Sequence, residues 1–209
     1  MFVVNEYQDK ISLISELAKI IAKKLKVALD KKEIVSLALA GGTTPLPLFK
    51  ALSFCDIQWN RVVIFPTDER LVAETDARSN TGMIRSGLLR NLAAGGKLIS
   101  FAPTNEKRKT FLRDLSEQIK NIMPIDVCVL GMGEDFHIAS IFPDADRLEE
   151  ALSAETNEVV LPMNSPSAGE ERLTLTSLVL KSVLSRHLLI VGEEKRRALE
   201  VALNMPTEN

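Results

Sequence analysis

The chain has 209 residues, 45% apolar and 26% charged, with a formal net charge of −2. That make-up fits one ordinary globular domain spanning 1–209, long enough to bury a sizeable core. It gives no electrostatic basis for binding nucleic acid or an anionic membrane, and no run of about 20 apolar residues offers a bilayer span. The first ten residues lack the apolar run of a signal peptide. The two cysteines, Cys55 and Cys128, fit no metal or redox spacing, and Cys128 reads as inert core. A reducing, cytoplasmic setting is the simple expectation.

Phe2-Val3-Val4 reads as a short first strand. Over Tyr7 to Leu29, apolar residues at Ile11, Ile14, Leu17, Ala18, Ile21, Leu25 and Leu29 have helical spacing, with lysines opposite. Ile34 to Ala40 is an apolar strand ending in Gly41-Gly42-Thr43-Thr44-Pro45, and the proline suits the first turn of a helix running to about Leu52. Glycines that admit close backbone approach, two hydroxyls and a helix N-terminus together make a phosphate cradle. A plain strand-to-helix turn is the competing reading.

Arg61 to Pro66 is the next strand, and Thr67-Asp68-Glu69-Arg70 leaves its carboxyl end. So many charges at a buried strand end point to a site; a solvated loop with an internal ion pair is the alternative. Ala77 to Leu92 is helical, with Ser79 and Asn80 as capping candidates. Leu98 to Phe101 is a short strand and Lys107 to Ile122 a helix with a charged face.

The stretch Ile125 to Leu130 is nearly all apolar, as in a parallel strand buried on both faces. Gly131 and Gly133 turn the backbone sharply. Glu134, Asp135 and His137 follow where a short helix is expected to begin, before Pro143. Ligands of open α/β sheets sit outside the carboxyl ends of strands, which places His137 where chemistry is done, with Asp135 close enough to orient its ring. A lone histidine at a helix start is also often only a capping or solvated residue.

Leu148 to Leu152 is a helical turn, Glu158 to Leu161 strand-like, and Asn164 to Glu170 a polar turn. Arg172 to Thr176 alternates as a strand, and Ser177 to Leu184 is a helix. His187 to Val191 is a buried strand whose histidine reads as structural. Glu193 to Asn204 is the last helix, stopped by Pro206. Alternation of this kind predicts an α/β fold: an open, mostly parallel sheet with helices on both faces, Rossmann-like in outline. Gly131-x-Gly133 lacks the third glycine of a dinucleotide fingerprint and lies late in the chain, so that reading is rejected.

Five stretches in this order resemble the 6-phosphogluconolactonases: Leu39 to Pro45, Pro66 to Arg70 with Ser79-Asn80 downstream, Gly131 to Pro143, Arg172-Leu173-Thr174, and Gly192 to Lys195. The resemblance covers nearly the whole chain. Glucosamine-6-phosphate deaminases share the fold and are the main competitor. They usually read Phe-Asn-Glu-Pro where this chain has Ser140 to Pro143, and Asp-Glu-Tyr at Asp68 to Arg70, so both differences favour the lactonase. Departures from the lactonase pattern are Phe136 for glycine, Ile138 for threonine, and an end soon after Pro206.

The resemblance implies hydrolysis of 6-phosphoglucono-δ-lactone to 6-phosphogluconate in the pentose phosphate pathway, with His137 and Asp135 catalytic. It places Gly41, Gly42, Thr43, Thr44, Asp68, Arg70, Gly131, Gly133, Arg172 and Lys195 around the substrate and its phosphate, with no cofactor and no metal. The partner it implies is a small phosphosugar lactone. A deaminase-like isomerase, or a catalytically silent sugar-phosphate binder if Phe136 blocks the site, are the alternatives. At Phe136 itself, the family's glycine points either to a left-handed backbone angle or to a need for space. The ring is expected to pack on Ile138 or Phe142, with His137 still facing the pocket.

Overall fold

The computed structural model describes residues 3–103 and 107–205. Strands β1 (Val35–Leu39), β2 (Val62–Pro66), β4 (Lys97–Leu98), β5 (Val127–Leu130) and β8 (Ser185–Leu188) form a five-stranded sheet in the order β4-β2-β1-β5-β8. Every pairing in it is parallel. A second, antiparallel sheet of β3 (Asp68–Arg70), β7 (Arg172–Leu175) and β6 (Val160–Met163) was not foreseen. The helices are α1 (Lys10–Leu29), α2 (Leu46–Ser53), α3 (Asn80–Gly87), α4 (Arg108–Lys120), α5 (Leu148–Leu152), α6 (Ser177–Ser182) and α7 (Glu193–Asn204).

Alternation along the central strands builds two cores. Val35, Leu37 and Leu39 of β1, with Val62, Ile64, Val127 and Val129, face α1 and α2 through Ile21, Leu25, Leu48, Phe49 and Leu52. Ala38, Val63, Phe65, Cys128 and Leu130 face the other way. There they meet Leu115 and Ile119 of α4, Val179 and Leu180 of α6, and Leu161, Leu173 and Leu175 of the small sheet. Burial on both faces explains why β1, β2 and β5 read as unbroken apolar runs.

Several elements depart from expectation. Val3 and Val4 are exposed and form no strand; Phe2 lies outside the described residues. Helix α1 starts at Lys10, where Asp9 accepts the Ser12 amide at 2.8 Å, so Ile11 falls on the solvent side and is 83% exposed. Helix α3 is shorter than expected, ending at Gly87, and a 3-10 turn at Asn91–Gly95 takes up the remainder. Strand β8 begins at Ser185 and is a half-exposed sheet edge rather than a buried strand. Helix α7 ends at Asn204; Pro206 lies outside the described residues. No helix among the described residues is long and apolar enough to cross a membrane.

Candidate active site

The chain runs from β1 outward through β2 to β4, then returns to the other side of β1 for β5 and β8. The strand order therefore reverses between β1 and β5, and the crevice at their carboxyl ends is where open α/β sheets bind ligands. The two glycine-rich stretches of the sequence meet there. Leu39 is paired with Val129, and the Ala40 amide donates to the Val129 carbonyl at 2.8 Å. Gly41 and Gly131 thus leave neighbouring strands side by side.

On the β5 side, Asp135 Oδ1 lies 2.6 Å from His137 Nδ1. A carboxylate only accepts, so this pairing puts the proton on Nδ1 and leaves Nε2 as the basic nitrogen. The loop holds the pair with its backbone: the Gly133 amide donates to the His137 carbonyl at 2.9 Å, and the Phe136 amide to the Gly133 carbonyl at 3.2 Å. A Cβ on Gly133 would overlap both Asp135 Oδ1 and His137 Nδ1, so only glycine leaves room for the pair. The Phe142 ring packs against the imidazole with centroids 4.2 Å apart.

No helix follows His137, contrary to expectation. Phe136 and Ala139 have φ of 70° and 50°, left-handed angles that no helix start tolerates, and Ile138 bridges to Ile141 instead. Of the two reasons entertained for glycine at 136, the angle is therefore real in this chain. It costs phenylalanine roughly 1–2 kcal/mol. The ring is 39% exposed, and the aromatic partner of Phe142 is His137 rather than Phe136.

On the β1 side, Gly41 also makes room for a polar side chain. A Cβ there would overlap the Asn80 amide group. Asn80 accepts from Arg70 Nη1 at 3.0 Å and donates to the Asp68 carbonyl at 2.7 Å. The Arg78 carbonyl takes a second bond from Arg70 Nη1 at 2.7 Å. Thr43 is exposed and Thr44 half-buried in the loop leading to α2.

The segment Asp68–Arg70 is a strand preceded by a bend at buried Thr67, not the solvated loop weighed as an alternative. Glu69 is fully buried and accepts from Ser79 Oγ at 3.0 Å and from the amides of Asn80 at 2.8 Å and Thr81 at 2.7 Å, capping α3. Those bonds place a carboxylate on the positive end of the helix, which is why it tolerates burial. Nothing in the sequence singled Glu69 out, because its partners come from another element.

Arg70 is directly opposite Arg172 across β3 and β7, so the two arginines share a face of the small sheet. Arg172 is 91% buried by its 9% exposure, and its carboxylate neighbour Glu170 is distant at 3.8 Å. Burial first, and then the nearby Arg70 charge, hold its guanidinium below the ordinary range. Both arginines keep a buried Nε without a hydrogen-bond partner among the described residues. Lys195 sits in the first turn of α7, beyond the carboxyl end of β8, and no ion pair joins it to the other candidates among the described residues. His187 faces Ser185 Oγ at 3.1 Å from Nε2 on the sheet edge, as suits a structural residue.

Residues 8–209 match the family of glucosamine-6-phosphate isomerases and 6-phosphogluconolactonases. The chain is 36% identical over 200 residues to the 6-phosphogluconolactonase of Mesorhizobium japonicum, covering 95% of this chain and 84% of that one. It is 34% identical over 204 residues to that of Neisseria meningitidis serogroup B, covering 97% and 88%. The crystal structure of a 6-phosphogluconolactonase from Shewanella baltica superposes with a TM-score of 0.91 at 33% identity, covering 97% of this chain and 87% of that one. A monomeric glucosamine-6-phosphate deaminase superposes with a TM-score of 0.78 at 18% identity, covering 99% and 89%, which is a likeness of fold alone. With the family match running over residues 8–209 and curated relatives at 34–36% identity, the chain belongs to the glucosamine-6-phosphate isomerase/6-phosphogluconolactonase family.

Proposed function

We propose that this single-domain chain hydrolyses 6-phosphoglucono-δ-lactone to 6-phosphogluconate, a step of the pentose phosphate pathway. The observation that carries the mechanism is the Asp135–His137 pair at the mouth of the switch-point crevice. Asp135 fixes the ring through Nδ1, and Nε2 takes a proton from the water that attacks the lactone carbonyl. The tetrahedral oxyanion then collapses, the ring C–O bond breaks, and the proton held by His137 passes to the departing ring oxygen, which becomes a hydroxyl. The Gly133 amide is already committed to the His137 carbonyl, so it is not free to stabilise that oxyanion. Other amides of the turn, or a cationic side chain, take that role.

The substrate phosphate is assigned to the arginine pair and the Gly41 to Thr44 loop, with Lys195 as a further cation. The guanidiniums of half-buried Arg70 and buried Arg172 lie side by side and repel each other, and each has an Nε unpartnered among the described residues. A dianion between them relieves both costs at once through charge-assisted bonds. All curated relatives quoted above are lactonases at more than 30% identity, whereas the deaminase shares only the fold.

A coupled assay of lactone hydrolysis, corrected for spontaneous ring opening, tests the reading. Enzymatic turnover is expected, and His137→Ala is expected to lose about 10²–10⁴ of it with unchanged thermal stability. Binding of the sugar phosphate without turnover would turn the assignment to a silent binder. Near-normal kcat in His137→Ala would remove it as the base.

A further inference from the structure

Between the small sheet and the histidine loop lies a buried polar cluster to which the mechanism above gives no part. Ser140 is 1% exposed, Thr174 0% and Asp68 8%. The Ser140 hydroxyl donates to Asp68 Oδ2 at 2.6 Å, and the Ser140 amide donates to Thr174 Oγ1 at 3.1 Å. Thr67 donates its hydroxyl to the other Asp68 oxygen at 3.1 Å, and Thr174 donates to the Leu175 carbonyl at 3.1 Å. Both carboxylate oxygens are thereby taken up within the protein.

Asp68 and Thr174 are opposite each other across β3 and β7, two positions from the opposed Arg70 and Arg172. With the strand period of two, all four side chains leave one face of the small sheet. One pair of strands therefore carries the arginines at one end and holds Ser140 at the other. Ser140 follows His137 by three residues, within a turn closed by the Ile141 amide on the Ile138 carbonyl at 3.0 Å. That turn passes through Ala139 at a left-handed φ of 50°, so it needs support from outside itself.

We propose that Asp68, Ser140 and Thr174 form a latch that sets the distance between His137 and the paired arginines, and so act as positioning residues for lactone hydrolysis. The inference rests on the reading of His137 as the base and of the arginines as the phosphate site. It moves Asp68 from the substrate to the support of the loop. Serine meets the need at 140 because the position requires a small side chain that donates to a buried carboxylate.

Steady-state hydrolysis by wild type, Ser140→Ala, Asp68→Ala, Asp68→Asn, Thr174→Val and the Ser140→Ala/Asp68→Ala double variant tests this. Inhibition by 6-phosphogluconate reports the phosphate site separately. Misplacing the base is expected to lower kcat of Ser140→Ala by about 10- to 100-fold, while KM and the inhibition constant stay within about twofold. The double variant should be no slower than Asp68→Ala alone, because both break one bond. Asp68→Asn keeps an oxygen for the Ser140 hydroxyl and should recover most of the rate. Thr174→Val keeps its shape, and a smaller fall in kcat of the same pattern supports the latch even where Ser140→Ala is unstable. An active wild type whose kcat is unmoved by Ser140→Ala or by Thr174→Val overturns the latch alone. Additive losses, or equal losses of kcat and inhibitor binding, also overturn it by showing general loosening. A wild type without lactonase activity overturns the function, and the latch with it.

Discussion

Phe136 offers a way to weigh backbone strain against ring burial at the edge of the site. Its φ of 70° costs an L-residue roughly 1–2 kcal/mol relative to glycine. Glycine returns roughly 0.4–1 kcal/mol of that by enlarging the freedom of the unfolded chain. With 39% exposure, about six-tenths of the residue is out of water, worth roughly 1–2 kcal/mol of the 1.5–3 for full burial. Phe136→Ala loses the burial and keeps the strain, so it is expected to destabilise by about 1–2 kcal/mol. Phe136→Gly loses the same burial but sheds the strain, and should be more stable than Phe136→Ala by about 0.5–1 kcal/mol. Urea denaturation with a common m-value measures the order directly. The Asp135–His137 pair does not involve the Phe136 side chain, so kcat/KM of Phe136→Gly should match or modestly exceed wild type. Phe136→Ala proving as stable as Phe136→Gly would refute the strain argument. An inactive wild type that gains lactonase activity on Phe136→Gly would show instead that the ring blocks the site.

Gly133→Ala should hurt activity more than stability, because the atoms its Cβ displaces belong to Asp135 and His137 rather than to the backbone; comparing kcat with the denaturation midpoint checks this. Arg172→Ala and Arg70→Ala should each cost roughly 1.5–3 kcal/mol of substrate binding, with Lys195→Ala acting in the same direction. A raised KM for the phosphorylated lactone, with none for its unphosphorylated analogue, confirms the phosphate role, and an unchanged KM removes the residue from the pocket. Burial, and then the charge of Lys24, hold the His187 pKa below its ordinary 6.5, so the unfolded chain binds that proton more readily than the folded one. Its stabilising contribution is complete above about pH 6.5 and is lost as pH falls towards the lowered folded value, so His187→Gln should flatten the fall in melting temperature across that window.

The inner strands β1, β2 and β5 of the central sheet were legible because they carry their own evidence, whereas the edge strands β4 and β8 were placed a residue or more too late. Val127–Leu130 and Val35–Leu39 are apolar on both faces, and glycines mark their ends. Helix α7 was read at its observed limits from local signals alone. Two strands of the small sheet were legible at Glu158 to Leu161 and Arg172 to Thr176, but its third was not, since Asp68-Glu69-Arg70 has no strand pattern and is held by β7 and by the first turn of α3. The site divides in the same way. His137, Asp135 and Gly41 stood out beside turn signals. Asn80, Ser140, Thr174 and Glu69 stood only inside longer motifs, Asn80 also as a capping candidate, and their side-chain contacts could not be read because the partners lie ten or more residues away. The missing helix at His137 has a local cause in the left-handed Phe136 and Ala139, a conformation that residue type argues against rather than for.

Strand β3 is only three residues long, yet its two faces do opposite electrostatic work. Glu69 turns a negative charge towards α3, while Arg70 lies on the other face with Asp68, opposite Arg172. Pairing with β7 is what keeps those faces apart, and side chains change face with every single-residue slip. One residue inserted between Pro66 and Asp68 would therefore exchange the roles without altering composition. Arg70 would turn to the helix side, and an arriving phosphate would meet the Glu69 carboxylate. Length variation in this family should thus be tolerated in the polar turn 164–170 and suppressed between β2 and β3, where the single linking residue, Thr67, is buried.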